Sequence, residues 1–226
     1  MKILVGSDYH GSEKLMQAAL DQIPEVDFYV NCGDFCSQAG AQPLDPHLGY
    51  HPRGKAEVEQ LRDFLAEVDQ LGKAWLFLPG NHDPAAPVLE NFQGSHGVIA
   101  TTACRLQLLG LELVTIPWTP PCGWNWSLTS TRLQELVESF SDERNSAPQP
   151  LPRVDLLITH APPQGVLDEG GKWYHKRTPT LRPLVSLLDP RYYLCGHMHL
   201  DGGKVETHGN TTYVNAALHN LVLELI

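Results

Sequence analysis

Apolar and polar positions fall in blocks along the chain, and the blocks change period in a regular order. KILVGSD (2–8) is a short apolar run closed by small and polar residues, the pattern of a buried strand. Residues 12–23 then place Leu15, Ala18, Ala19 and Ile23 at helical spacing behind Ser12, whose hydroxyl suits an N-cap. The pair recurs, with DFYVNCGD (27–34) as strand and 54–72 as a helix carrying Val58, Leu61, Leu65 and Val68 on one face. KAWLFLPGNHD (73–83) is a third strand. Two strand–helix–strand units in succession predict parallel pairing with right-handed crossovers, so the three strands end on one edge of a sheet.

Beyond Gly97 the text becomes strand-rich, VIATTACRLQLLGLELVTIPW (98–118), with a hairpin predicted at LLG. A helix is predicted over 129–140, and SDERNSAPQPLP (141–152) reads as a polar, proline-rich surface linker. There follow a buried strand, VDLLITH (154–160), a short helix (181–188), a strand, RYYLCGHMH (191–199), and closing strands near 204–207 and 212–215. No repeat or low-complexity tract interrupts this order, and a single domain over 1–226 is expected. The irregular stretches 35–54 and 117–127 are long for connections in a compact domain, which points to function.

Composition narrows the class. The 226 residues carry a formal charge of -10, with an isoelectric point near 5.5. That argues against a nucleic acid polymer as partner, since polyanion binders present a basic face to phosphates. MKILVGSDYHG has one Lys and a three-residue apolar run, unlike a signal peptide, and no window approaches the roughly 18 apolar residues of a membrane span. With five cysteines and no export signal, the thiols are expected to stay reduced and the protein to be cytoplasmic. Cys32 and Cys36 are separated by three residues, which is not the C-x2-C spacing of a zinc ribbon.

Lining up the strand ends reveals the chemistry: SDYHG, NCGDF, GNHD, THAPP and CGHMH. Each apolar strand stops and a His, Asp or Asn follows at once, where open α/β sheets place their ligands. Asp8 and His10 stand two apart in a segment leaving a strand, so an extended backbone aims both side chains one way, as chelation requires; His197 and His199 share that spacing. Gly33 lets the backbone at Asp34 approach a crowded centre, and a carboxylate can bridge two ions. Asn81 offers an amide oxygen and His160 another imidazole. Seven candidate ligands are too many for one ion.

The ordered set D-x-H, G-D, G-N-H-D, a strand-terminal His and G-H-x-H resembles the signature of the calcineurin-like metallophosphoesterases over positions 8–199. THAPPQGVLDEGG, GHMHLDGG, TTYVNAA and PWTPPCGWNW are similar to MPPED-type and related small bacterial phosphodiesterases. The resemblance implies an α/β fold, a two-sheet β-sandwich flanked by helices in four layers (α/β/β/α). It implies one metal held by Asp8, His10, Asp34 and His199 and a second by Asp34, Asn81, His160 and His197, with Asp34 bridging. His82 would sit over the phosphate as a non-ligand catalytic histidine, and Asp83 would orient its ring.

The implied activity is hydrolysis of a phosphodiester in a small, nucleotide-like substrate by a metal-activated hydroxide attacking in line. Imidazole and oxygen ligands suit Mn, Fe, Zn, Co or Ni, with Mn as the working choice. A phosphomonoesterase or nucleotide pyrophosphohydrolase is the alternative within enzymes, and a non-catalytic protein-binding scaffold of the same fold is the alternative from another class. Outside the motifs, His47, His51, His96, His175, His208 and His219 read as surface or core residues. Trp118, Trp124 and Trp126 are either a cluster packed under a loop or an aromatic wall beside the metals. Lys172, His175, Lys176 and Arg177 are either a solvated loop or a phosphate clamp, and Pro43, Pro46 and Tyr50 are candidates for the pocket mouth.

Overall fold

The computed structural model describes residues 1–39, 52–92, 94–120, 125–169 and 180–225. Eleven strands among these residues form two sheets, and alternation of side chains along each strand decides which faces meet. The first sheet has the order β11 (His219–Glu224), β1 (Lys2–Ser7), β2 (Phe28–Asn31), β3 (Ala74–Phe77), β4 (Gly97–Ile99). β1 to β4 run parallel and β11 pairs antiparallel with β1. The second sheet has the order β5 (Cys104–Leu108), β6 (Leu111–Ile116), β7 (Leu156–Thr159), β8 (Tyr192–Cys195), β10 (Thr211–Asn215), β9 (Val205–His208). β6, β7, β8 and β10 are parallel, and β5 and β9 are antiparallel edges.

Ile3, Val5, Phe28, Val30 and Leu76 of the first sheet meet Leu113, Leu156, Ile158, Leu194 and Val214 of the second in one buried cluster. The alternate positions Leu4, Tyr29, Trp75 and Phe77 face α1 (Glu13–Gln22) and α2 (Pro52–Gln70), which bury Met16, Ala19, Val58, Leu61, Leu65 and Val68 against them. Val114, Ile116, Leu157 and Tyr193 face outward to α4 (Ser130–Ser146) and α5 (Arg182–Leu188) through Leu136, Phe140, Leu184 and Leu188. The result is the four-layer α/β/β/α sandwich. Truncating a wholly buried residue of the central layer, such as Leu194→Ala, costs about 2–5 kcal/mol by leaving a cavity.

Local signals act where the sequence placed them. The Ser12 hydroxyl accepts from the Leu15 N–H to cap α1. The LLG hairpin joins β5 to β6, with Leu109 (φ 53°) and Gly110 (φ 79°) both left-handed, as a two-residue type I′ loop requires. Four differences appear. α4 continues to Ser146, so the first half of the expected linker is helical; the helix stops at Ala147, before Pro148. β4 joins the first sheet, not the hairpin sheet. The short α3 (Ala86–Leu89) and the closing strand β11 were not expected from the sequence. No described helix is long and apolar enough to cross a membrane.

Candidate metal centre

The parallel strands of both sheets end on one edge, and every candidate residue leaves from it: Asp8 and His10 after β1, Asp34 after β2, Asn81 to Asp83 after β3, His160 after β7, His197 and His199 after β8. The route differs from the extended backbone inferred from spacing. Asp8 (φ 57°), His10 (φ 47°), Asp34 (φ 53°) and His197 (φ 66°) are all left-handed. Asp and His tolerate this region better than most residues, and such strain concentrates at functional sites. The turned segment is held by main-chain bonds, with Asp8, His10 and Gly11 N–H groups donating to the carbonyls of Gly33, Asp34 and Phe35 (2.8, 3.1 and 2.9 Å). The reading of Gly33 stands: its φ is 97°, and a Cβ there would collide with the backbone of Gly80.

Two groups of ligand atoms result, Asp8 with His10 and His199, and Asp34 with His160 and His197, each drawn within 4.8 Å. The equal spacing of the D-x-H and H-x-H pairs hides different outcomes, since Asp8 and His10 stay together while His197 and His199 part. His199 Nε2 lies 3.0 Å from Asp8 Oδ1 and 3.3 Å from His10 Nε2. His160 Nε2 lies 3.2 Å from Asp34 Oδ2. Backbone carbonyls set two of these rings: His10 Nδ1–H donates to Cys36 (3.2 Å) and His160 Nδ1–H to Cys32 (2.7 Å), which turns each Nε2 toward its group. Asp8 Oδ2 accepts from the Ser7 hydroxyl (2.6 Å) and the His197 N–H (2.8 Å), leaving Oδ1 for the centre.

The donor set fits divalent cations. Among the described buried side chains, two polar atoms have no hydrogen-bond partner, Asn81 Oδ1 and His160 Nε2. His160 and Asp34 are close but out of line for a hydrogen bond, as ligands converging on a third body would be. The charges agree. Burial alone would raise Asp8, but its hydrogen bond to His199, the charge of His160, the Ser7 hydroxyl and the His197 N–H hold it well below the usual carboxylate range. Asp34 is lowered too, because His160 outweighs its burial. Burial presses His160 down, and the Asp34 and Asp8 carboxylates override it and raise it to about 9. Burial lowers His10, and the hydrogen bond to Asp8 raises His199.

The GNHD segment is arranged differently from the expectation for Asp83. Asp83 does not orient the His82 ring. Its carboxylate accepts from three backbone N–H groups, Asp34 (2.7 Å) and Gly80 (2.8 Å) on Oδ2 and Cys36 (2.9 Å) on Oδ1. The ring is fixed by Ser37, whose carbonyl accepts from His82 Nδ1–H at 2.7 Å. The reason is geometric, for a buried carboxylate beside three unpaired amides satisfies those first. Burial and then the Asp34 charge raise Asp83 to about 7. The His82 N–H donates to Asp34 Oδ1 (2.7 Å), and the His10 and His82 rings meet edge to face at 5.1 Å.

Trp126 Nε1–H donates to the Pro84 carbonyl (3.0 Å) and Asn125 Nδ2–H to that of Asp83 (3.3 Å), so this loop braces the segment bearing Asn81 and His82. Trp118 packs on the outer layer with the Arg132 guanidinium 4.6 Å above its ring. A cavity of about 210 Å³ opens beside them, lined by Ala85, Ala86, Trp118, Asn125, Trp126 and Ser127. His208 bonds Glu206 and His219 bonds the Ala217 carbonyl, away from both groups. Pro43, Pro46, His47, Tyr50, His51, Trp124, Lys172, His175, Lys176 and Arg177 lie outside the described residues. The sequence reading missed Ser7, Ser37 and the carbonyls of Cys32 and Cys36. A backbone acceptor has no residue type to betray it.

Fold and site together define an α/β sandwich with clustered metal-ligating side chains at the shared edge of its sheets. Residues 1–201 match the calcineurin-like phosphoesterases, and the chain belongs to that family. It is 28% identical over 218 residues to metallophosphoesterase domain-containing protein 1 of Homo sapiens, across 87% of this chain and 61% of the relative. The chain therefore spans about three fifths of that relative's length. It is also 28% identical to UPF0046 protein C25E10.12 of Caenorhabditis elegans, across 94% of this chain and 73% of the relative. One crystal structure shares the fold at a TM-score of 0.72 with 16% identity, covering 100% of this chain and 99% of that one. TT1561 of Thermus thermophilus does so at 0.56 with 14% identity, over 96% and 88%.

Proposed function

We propose that this chain is a two-metal phosphoesterase that hydrolyses phosphodiester bonds in small, nucleotide-like substrates. The observation that carries this reading is the pair of converging ligand groups, together with two buried atoms that lack a hydrogen-bond partner, His160 Nε2 of the second group and Asn81 Oδ1. Asp8, His10, Asp34 and His199 would hold one cation, and Asp34, Asn81, His160 and His197 the other, with Asp34 serving both. Bound cations of this kind, Mn first among Mn, Fe, Zn, Co and Ni, supply Lewis-acid polarisation of the phosphoryl oxygens and an acidified water. Held at this edge, such cations would offset the formal charge of -10 where an anionic substrate binds.

The chain's own part is orientation and proton delivery. The seven side chains would orient the cations, and His82 and its backbone partners stand beside them. His82, held at Nδ1 by Ser37, would give the departing oxygen a proton from Nε2 as an imidazolium protonated on both nitrogens, and be left neutral with its Nδ1–H still on the Ser37 carbonyl. The preference for diesters rests on His10, on the tryptophan-bearing loop and on the segments that resemble MPPED-type and related small bacterial phosphodiesterases. The test is hydrolysis of matched mono- and diesters with added Mn and after chelation. Chelation should abolish turnover, Mn should restore it, and the diester should show the higher kcat/KM. Full activity after exhaustive metal removal would overturn the reading, and a monoester advantage of about tenfold, or 1.4 kcal/mol in barrier, would make it a monoesterase. A scaffold would bind a partner protein and turn over neither ester.

A further inference from the structure

Glu57 stands on the first turns of α2, outside every motif. Its Oε2 accepts from three consecutive backbone N–H groups, Ser37 (3.1 Å), Gln38 (2.7 Å) and Ala39 (3.1 Å). Successive amides converging on one oxygen form an anion-binding concavity, and here the anion is supplied by the protein itself. Charge-assisted bonds of this sort are roughly twice as strong as neutral ones. Their direction matters most. The Ser37 amide points to Glu57 while the Ser37 carbonyl points to His82 Nδ1, and the Ser37 hydroxyl donates to the His10 carbonyl at 2.9 Å. The neighbouring Cys36 carbonyl takes the His10 ring, and the Cys36 N–H is held by Asp83.

We propose that Glu57 is a positioning residue for His82: by clamping the amides of residues 37–39 it fixes the Ser37 carbonyl that aims the imidazole at the leaving group. The inference rests on the phosphoesterase reading for its catalytic consequence, but its structural part stands apart from it. Cys36 is held from the other side by Asp83, so when 37–39 loosen the Cys36 carbonyl that sets the His10 ring keeps its anchor, while the Ser37 carbonyl that bonds His82 Nδ1 loses its own. Glu57 therefore acts on proton delivery and not on metal retention. An alternative reading, in which Glu57 only anchors a loop to α2, predicts lost stability with no selectivity among substrates.

The experiment compares Glu57→Ala and Glu57→Gln, each with and without His82→Ala. Alanine suits a helix interior, so α2 itself is retained; the three released amides lower stability, and thermal unfolding with metal content is measured beside turnover to separate that loss from the effect on His82. Glu57→Ala should keep both metals and lower kcat on an alkyl diester by about 10- to 100-fold, with little change on a nitrophenyl diester whose leaving group barely needs a proton. Glu57→Gln, which keeps an acceptor oxygen, should recover part of the loss. In the His82→Ala background Glu57→Ala should cost nothing further, since the two act through one group. In the metal-free protein, amide exchange at Ser37, Gln38 and Ala39 should accelerate about tenfold or more, and the 15N signals of His82 should lose the signature of a hydrogen-bonded Nδ1–H. Equal losses on both substrates, an undiminished loss in the His82→Ala background, or loss of metal would overturn the proposal. Wild-type protein inactive on both esters would instead fail the phosphoesterase reading, while exchange and 15N spectra would still decide whether Glu57 sets His82.

Discussion

His160 Nε2 lies 3.2 Å from Asp34 Oδ2, both side chains wholly or almost wholly buried, without the alignment of a hydrogen bond. The pair comes from different sheets, His160 from the end of β7 and Asp34 from the end of β2, so the sandwich itself brings them together. Without a cation the imidazole takes a proton to neutralise the carboxylate, and with one it must give that proton up.

That exchange has a pH signature in metal-free protein. The folded pKa of His160, about 9, lies above its ordinary 6.5, so its contribution is fully present below pH 6.5 and is lost as pH rises through 9. Thermal stability of the metal-free protein should fall over that window, by an amount on the order of 3 kcal/mol at most. His160→Gln should flatten the fall. Calorimetry in buffers of different ionisation enthalpy should show proton release on Mn binding at pH 7.

On the proposed assignment, in which the Asp34 carboxylate serves each ion, Asp34→Ala should lose both, whereas Asn81→Ala should weaken one. Metal content by mass spectrometry separates the cases. Two ions at full occupancy in the Asp34 variant would remove its bridging role.

Asp83→Asn should destabilise the fold. One amide oxygen can still serve Asp34 and Gly80, but the NH2 group would face the Cys36 N–H, donor against donor, at a cost of about 1–3 kcal/mol. Denaturant unfolding measures this. Because Asp83 holds the amides of Asp34, Gly80 and Cys36 and not that of Ser37, whose carbonyl sets the His82 ring, the ratio of alkyl to nitrophenyl turnover should stay at the wild-type value.

His82→Ala should do the reverse, keeping both metals and stability while losing roughly 10²- to 10⁴-fold in kcat on an alkyl diester and much less on a nitrophenyl one. Equal losses would make His82 a phosphate-binding residue and no acid.

These contrasts mark what the sequence can and cannot carry. Buried parallel strands must be apolar, and ligands must be His, Asp or Asn, so the abrupt change from one to the other at Asp8, Asp34, Asn81, His160 and His197 was legible. So was the crowding that puts Gly33 before Asp34. The left-handed backbone at Asp8 and His10 was not, because spacing says nothing of φ. The extension of α4 through Ser146 was hidden because polar residues describe a solvated helix and a linker equally well. β11 has no local signature, because its partner β1 lies more than 200 residues away in the chain and no local pattern records that pairing. The role of Asp83 is hidden from the sequence for a related reason: its partners are backbone amides, which every residue has.

The central claim is that two cations sit between these groups and share Asp34. Anomalous diffraction from manganese-loaded crystals tests it most directly. Two peaks should appear about 3.5–4 Å apart, one contacting Asp8, His10 and His199, the other Asn81, His160 and His197, with the Asp34 carboxylate touching both. A single peak, or two peaks of which one leaves Asp34 untouched, would contradict the account.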